Sequence, residues 1–151
     1  MDAMTGRRPG VLSAQEVGEL LAREFSQAFH GKSDNVIEDA WHCGCRIRRK
    51  FNPKSLRPGG TISGPTMMGL TDFAMYVAVL ASIGPVPLAV TTNLNINFLR
   101  KPAQRDLIAE ARLIKLGKRL AVGEVQIYSE GEEEMVAHAT TTYSIPPPEE
   151  R

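Results

Sequence analysis

Residues 59–81 read GGTISGPTMMGLTDFAMYVAVLA and form the most informative segment of the sequence. Its part from 66 to 81 contains one ionised residue, Asp72, and is too long for a typical strand, so the pattern predicts a helix. Gly64 and Pro65 come just before it, and proline is favoured at the first position of a helix. Because this helix is apolar on nearly all sides, we expect a curled sheet or a second subunit to bury it.

The flanking sequence predicts one more helix and a set of strands. Ser13 and Glu16 form a capping-box pattern, which predicts a helix over 13–29 that ends at Gly31. Alternating patterns predict strands over 36–51, 88–99, 106–116, 119–129 and 135–145. Strands grouped after a helix indicate an α+β fold, and an antiparallel meander is the simplest topology for them.

Strict alternation within 88–99 places Thr92 on the same face as the apolar residues of that strand. Asn93, Asn95 and Asn97 then share the opposite face. This row is interpreted as a solvated or subunit-facing surface, with the polar wall of a binding groove as the less favoured alternative.

Composition limits the classes of function. The chain has 151 residues, which suits one domain, predicted over 13–151, after a flexible lead over 1–12. Eighteen basic against 17 acidic residues give a net charge of +1, which argues against binding nucleic acid by bulk charge. Two cysteines cannot form a disulfide framework, no signal peptide is recognised, and the apolar run 73–90 is too interrupted for a membrane span. We therefore expect a cytoplasmic protein without a membrane partner.

Asp72 is the candidate reactive group. A lone carboxylate on an apolar helix is costly unless it is hydrogen-bonded or serves a reaction. A position at the rim of the fold, or a bond to nearby backbone, would also explain it. The backbone N–H groups at the start of the same helix, around Gly64, are suited to stabilising an oxyanion.

Four motifs resemble those of the hotdog-fold acyl-CoA thioesterases of the phenylacetate-pathway (PaaI) type. They are residues 59–72, residues 90–99 with Pro102, residues 116–122 and residues 136–140, within a likeness that spans 36–147. The resemblance implies an antiparallel sheet wrapped around a long buried helix. It also implies a homodimer, able to pair again into a tetramer, with active sites at the dimer interface and an acyl-CoA substrate.

The same resemblance implies roles for single residues. Asp72 corresponds to the catalytic carboxylate, acting as general base on water or as nucleophile on the thioester carbonyl. The Gly64 N–H would polarise that carbonyl, and Thr91 matches a hydroxyl that helps to place the water. No cofactor is expected, because coenzyme A is part of the substrate.

The chain departs from the family pattern at two positions. Ser63 stands where the family has histidine, and Pro65 stands where it has a second glycine. Ser63 as a nucleophile is a weaker hypothesis, because its sequence neighbourhood offers no base. The substitution of the histidine leaves open a protein that binds an acyl-CoA or aromatic ligand without hydrolysing it. A hotdog dehydratase would need a histidine beside Asp72, and only His138 is a candidate.

Coenzyme A carries phosphates, so cations are expected near the site. Arg100 follows the asparagine-rich strand, and Lys118 and Arg119 flank a hairpin turn that matches a family motif. An ordinary solvated turn is the alternative for each. His42, Cys43 and Cys45 suggest a metal, but alternation separates the imidazole from the thiols, and no metal site is predicted.

Overall fold

The computed structural model describes residues 6–25 and 33–151 of the chain. Within those ranges it has two α-helices, two short 3-10 turns and one six-stranded sheet. The elements are α1 (Ala14–Glu24), β1 (Asn35–Trp41), β2 (Gly44–Arg49), α2 (Gly64–Ile83), β3 (Val90–Phe98), β4 (Leu107–Leu116), β5 (Leu120–Ser129) and β6 (Met135–Ser144). The 3-10 turns are Pro53–Ser55 and Pro148–Glu150.

Helix α2 is the centre of the fold, as the sequence predicts. Ser63 caps its first turn, and Gly84, at a positive φ of 94°, ends it. Its C-terminal half is buried on nearly all sides by the sheet, whereas its N-terminal half leaves one side open. The side chains on that open side recur every three or four residues: Pro65, Met68, Gly69, Asp72, Phe73 and Tyr76. The expectation of burial on nearly all sides is therefore confirmed for only half of the helix in the single chain.

The sheet is antiparallel throughout, with strand order β1-β2-β4-β5-β6-β3. At Gly123 in β5 an added Cβ would lie 2.8 Å from Met75 Sδ, so this glycine lets α2 approach the sheet closely. This wrapping of one sheet around one helix is the hotdog fold that the family resemblance implies.

The strand prediction is wrong about the first predicted strand and about the order of the strands in the sheet. The predicted strand 36–51 is a hairpin, because the chain turns at His42 and Cys43, where Cys43 has a positive φ of 69°. Cys43 therefore does not continue the face of Cys45, and both cysteines are free thiols. The meander is correct for β4, β5 and β6. Strand β3 instead pairs with β6, because α2 carries the chain from β2 to the far edge of the sheet.

The N-terminal segment is packed against this core. Ser13 and Glu16 form the expected capping box, and Val17, Leu20 and Leu21 bury one face of α1. The helix ends at Glu24, while Phe29 and Gly31 lie outside the described residues. Residues 1–5 also lie outside them, but from Arg8 onward the predicted lead makes contacts: His42 N–H donates to Arg8 O (2.8 Å) and Leu12 N–H to Ala81 O (3.2 Å).

Among the described residues, one helix has the length and apolar composition of a membrane span, and it is α2. Since α2 is the core helix of this fold, its apolar character is explained by packing.

Candidate active site

The Asp72 carboxylate is held by two hydroxyl groups. Thr91 Oγ1 donates a hydrogen bond to Asp72 Oδ1, and Tyr143 OH donates to the same oxygen at 2.8 Å. Tyr143 OH also lies 3.1 Å from the backbone carbonyl oxygen of Asp72. Because both donors engage Oδ1, the carboxylate is fixed in orientation, and no described residue donates to Oδ2. Oδ2 is therefore free to accept a proton or to attack a carbonyl carbon.

A β-bulge in the edge strand brings Thr91 to this carboxylate. The register between β3 and β6 shifts between Thr91 and Asn93, so that Thr91 pairs with Tyr143. Strict alternation predicts Thr92 on the inner face of β3. This prediction is wrong, because the bulge turns Thr91 to the inner face instead. Thr92 instead donates to the Thr142 backbone carbonyl oxygen at 3.3 Å.

Tyr143 remains a hydrogen-bond donor at ordinary pH. Burial raises the pKa of its phenol far above the usual value, and the negative charge of Asp72 raises it further. Its ring stacks on Tyr76 with centroids 6.0 Å apart. Burial, with a smaller contribution from Glu24, raises the pKa of Tyr76 to about 12, and the Tyr76 hydroxyl donates to Pro87 O at 2.8 Å. Both phenols are therefore neutral and held in place.

The start of α2 supplies one uncommitted backbone donor. The first N–H groups of a helix have no intrahelical acceptor. Thr66 N–H donates to Ser63 Oγ (3.3 Å), Met67 N–H donates to Ser63 O (3.3 Å), and Pro65 has no N–H. The Gly64 N–H is the donor that remains. A Cβ at position 64 would lie only 3.2 Å from Phe98 Cζ. Glycine avoids this close contact with the ring.

Ser63 acts as the helix cap. Its hydroxyl accepts from Thr66 N–H and lies 2.8 Å from Thr66 Oγ1. No basic side chain is among its hydrogen-bond partners in the described part of the chain. Its role in catalysis stays a prediction, and its observed contacts are those of a cap.

Asp72 and Gly64 lie in separate surface grooves of the single chain. The Asp72 groove, with a volume of about 460 Å³, is lined by Leu21, Phe25, Gly69, Asp72, Phe73, Tyr76, Pro87, Ala89, Val90, Thr91 and Tyr143. The Gly64 groove, of about 490 Å³, is lined by Arg57, Thr61, Ile62, Gly64, Pro65, Met67, Phe98, Leu99, Arg100, Lys101 and Pro102. They share no residue. Eight helical positions correspond to about 12 Å along the axis of α2, so the two groups of one chain face different parts of the surface.

Comparison with known proteins identifies the family. Residues 59–136 match the sequence profile of the Thioesterase superfamily, and these residues include both Gly64 and Asp72. The chain belongs to the thioesterase superfamily.

The superfamily assignment agrees with relatives of high coverage. A candidate esterase of Saccharolobus solfataricus is 33% identical over 135 residues, which cover 89% of this chain and 87% of that protein. A crystal structure of a candidate thioesterase from Silicibacter sp. TM1040 is 42% identical, with a TM-score of 0.81 over 91% of this chain and 94% of that one. The PaaI protein of the E. coli phenylacetic acid degradation operon shares the fold, with a TM-score of 0.76 at 18% identity over 88% of this chain and 93% of its own. The predicted family and hotdog fold are therefore confirmed, and superfamily membership supports hydrolysis of thioesters in general.

The three predicted cations of this superfamily member lie at two different ends of its sheet. Arg100 follows the end of β3, lines the Gly64 groove and forms an ion pair with Glu134. Lys118 and Arg119 precede β5, at the end where Ser144 pairs with both Leu120 and Val90. Arg119 Nε donates to Ile145 O at 3.0 Å, while Lys118 is exposed. Arg57 and Lys101 also line the Gly64 groove, and no prediction included Arg57.

Tyr143 contacts the carboxylate directly, although no sequence motif identifies it as a site residue. Its available signal was its place on the inward face of the last predicted strand, where a tyrosine hydroxyl needs a partner.

His138, the histidine considered for a dehydratase, lies on the outer face of β6. Its Nε2 is 3.2 Å from Glu124 Oε2, and no histidine lines the described Asp72 groove. An Asp–His acid–base pair is therefore absent from that groove as described.

Proposed function

We propose that this chain hydrolyses the thioester bond of a small or aromatic acyl-CoA. The observation that carries the proposal is the Asp72 carboxylate, held on Oδ1 by Thr91 and Tyr143 with Oδ2 uncommitted, in an otherwise apolar groove. An apolar groove with a few placed polar groups is the usual form of a small-molecule site. Superfamily membership supplies the reaction class, and the groove supports an uncharged acyl group.

In the proposed reaction a water molecule attacks the thioester carbonyl carbon while Asp72 Oδ2 takes a proton from it. The carbonyl oxygen gains the negative charge, and the Gly64 N–H stabilises that charge. Collapse of the tetrahedral intermediate breaks the carbon–sulfur bond, and the proton on Asp72 passes to the leaving thiolate. The products are a carboxylic acid and free coenzyme A. Direct attack by Asp72 on the carbonyl carbon remains the second form of the mechanism.

The site is proposed to be shared between two subunits. The oxyanion donor and the carboxylate must act on one carbonyl group, yet in one chain they lie in grooves without a common residue. Strand β3 is an edge of the sheet and carries the exposed apolar residues Val90 and Phe98. If two β3 edges pair in antiparallel orientation, the Phe98 end of one strand lies beside the Val90 end of the other. That pairing sets the Gly64 groove of one subunit next to the Asp72 groove of its partner.

The same pairing supports the proposed contacts with coenzyme A. It brings Arg100 of one subunit toward the hairpin that carries Lys118 and Arg119 in the other. Arg100 and Glu134 are 51% and 66% exposed, so their ion pair is weak and can be exchanged for a phosphate contact.

The proposal is tested by thiol release from a panel of short, long and aromatic acyl-CoAs. We expect Asp72→Asn to lower kcat by about a thousandfold or more, since both mechanisms need the carboxylate. Asp39→Asn is the matched control, because Asp39 is an exposed carboxylate on β1, outside either groove. Circular dichroism should show the same fold in all three proteins. Equal rates in the wild type and Asp72→Asn would contradict the proposal.

A second candidate function is binding without turnover. Ser63 occupies the position of the family histidine, and its hydroxyl is engaged in the cap of α2. This candidate predicts saturable binding of acyl-CoA in calorimetry and no thiol release from any member of the panel.

A further inference from the structure

One wall of the Asp72 groove comes from a helix outside the matched superfamily segment. Leu21 and Phe25, one turn apart at the end of α1, both line the groove, whereas the family profile matches only residues 59–136. The family profile therefore does not describe this wall of the groove.

Helix α1 holds these two side chains in a defined place. The capping box at Ser13 fixes its first turn, and Val17 and Leu21 are almost fully buried against the core. Phe25 is the C-cap residue that follows α1, and its N–H donates to Leu21 O at 2.7 Å. Phe25 itself is 37% exposed, so part of its ring is open to a ligand.

An aromatic wall connects the reactive carboxylate to α1. Tyr143, which donates to Asp72, stacks on Tyr76 with centroids 6.0 Å apart. Tyr76 in turn contacts Phe25 edge to face, at 5.8 Å between centroids. These distances lie within the range of favourable aromatic pairs. The wall therefore runs without a break from the reaction centre to the end of α1.

The groove beside this wall suits an uncharged acyl group. Asp72 is the one carboxylate among the described residues that line it, no lysine, arginine or histidine is among them, and the hydroxyl groups of both tyrosines already have acceptors. An acyl group whose carbonyl lies at Asp72 can extend along the rings of Tyr143 and Tyr76 before it meets Phe25.

We propose that Phe25, supported by Leu21, limits the length of the acyl group that the site accepts. This inference rests on the proposed function, because it takes the Asp72 groove as the acyl site. Acyl groups that end before Phe25 bury all their methylenes against the aromatic wall. Longer groups must displace the Phe25 ring or leave methylenes in water. Each methylene that the apolar pocket does not accommodate lowers kcat/KM by about tenfold relative to the best substrate.

The experiment measures kcat/KM for straight-chain acyl-CoAs from acetyl to palmitoyl, by thiol release. Phe25→Ala removes the obstruction. For acyl chains longer than the wild-type optimum, we expect kcat/KM, divided by kcat/KM at that optimum, to rise about tenfold. Phe25→Trp adds bulk at the same place and should move the optimum to shorter chains. Ile114→Ala is the control, because Ile114 is an apolar residue 57% exposed on β4 that lines neither groove.

Binding of non-hydrolysable thioether analogues of the same lengths is measured in parallel by calorimetry. Opposite shifts in Phe25→Ala and Phe25→Trp, in either readout, support the inference. Hydrolysis by all variants with one unchanged length profile overturns the inference and leaves the proposed function standing. Absence of hydrolysis in the wild type overturns the proposed function. The inference then depends on the dissociation constants of the analogues: opposite shifts of the preferred length in Phe25→Ala and Phe25→Trp support it, and an unchanged length profile overturns it.

Discussion

Tyr143 and Thr91 donate to the same oxygen of Asp72, so the loss of either hydroxyl releases part of the constraint on the carboxylate. We expect Tyr143→Phe to lower kcat by about tenfold, because a hydrogen bond to a charged group contributes roughly 1.5–3 kcal/mol and Thr91 keeps part of the orientation. KM should change by less than about threefold, since the phenyl ring still packs on Tyr76. Steady-state kinetics with one acyl-CoA measures both constants.

Tyr128→Phe provides the control for that substitution. Tyr128 is a tyrosine on β5 whose hydroxyl bonds to Gln126, with no contact to Asp72. A kcat unchanged in both variants would show that Tyr143 does not position the carboxylate. A large rise in KM alone would assign Tyr143 to substrate binding instead.

The candidate site illustrates how far single residues can be predicted. Asp72 was identifiable as the one charge on an apolar helix, and Gly64 and Thr91 followed from the family motifs. The bulge that turns Thr91 inward could not be predicted from the alternation of polar and apolar residues. That alternation does not show where the pairing of two strands skips a residue. The inward position of Tyr143 on its strand indicates that its hydroxyl needs a partner, but it does not identify Asp72, which lies 71 residues away in the sequence.

Ser63 caps α2, so a change at this one residue affects the stability of the whole helix. We expect Ser63→Ala to lower the free energy of unfolding by about 1 kcal/mol, because the start of α2 loses its side-chain acceptor. Ser63→Asn should restore most of that stability, since asparagine is also a favoured cap and lacks the hydroxyl. Urea denaturation measures the difference. Activity retained in Ser63→Asn excludes Ser63 as a nucleophile, whereas activity lost in a stable Ser63→Asn protein would support that role.

A charged cluster on the outer face of the sheet links four neighbouring strands, β1, β2, β4 and β5. Arg48 on β2 pairs with Glu38 on β1, with Asp106 before β4 and with Glu130 after β5. The pKa of Asp106 is lowered, first by the hydrogen bond from Phe51 N–H and then by Arg48. Burial acts to raise the pKa of Glu38, but its bonds and charge contacts with Arg48 and Arg46 leave that pKa lowered.

This cluster predicts how stability depends on pH. A carboxyl whose pKa is lowered by folding stabilises the protein above its unfolded pKa, and the contribution is lost as the pH falls through the folded value. The free energy of unfolding should therefore decrease as the pH drops below about 4.3, the unfolded pKa of glutamate. In Arg48→Met we expect a loss of about 1 kcal/mol at pH 7 and a shallower acid dependence. Lys54→Met, an exposed charge on the turn Pro53–Ser55, is the control, and equal acid slopes in wild type and Arg48→Met would contradict the argument.

At the scale of elements, the strands and α2 were predictable because period and length separate a strand from a helix. The position of β3 was not, since pairing with β6 depends on where α2 delivers the chain rather than on the sequence of β3. The hairpin within 36–51 was missed because its turn residues His42 and Cys43 carry no glycine or proline signal of their own.

The whole molecule contains the two parts of the proposed site in separate grooves, and this arrangement predicts complementation between inactive variants. Asp72→Asn loses the carboxylate. Gly64→Pro loses the oxyanion donor, and the extended conformation of Ser63 (φ −70°, ψ 153°) is compatible with a following proline. Because the added ring lies beside Phe98 and Pro65, circular dichroism must show that this variant keeps the wild-type fold. Each variant alone should be inactive. If the site combines Gly64 of one subunit with Asp72 of its partner, a mixed dimer has one intact site.

Refolding the two variants together in equal amounts should therefore restore about a quarter of wild-type activity, because half of randomly formed dimers are mixed and each has one of two sites intact. Sedimentation establishes the dimer in every sample, and the same refolding of each variant alone supplies the baseline. A dimer that forms without any recovered activity would place Gly64 and Asp72 in one subunit's site. A monomer with full wild-type activity would show that pairing through β3 is not needed for catalysis. Gly64 and Asp72 of one chain, about 12 Å apart along α2, would then have to approach each other by a movement within that chain.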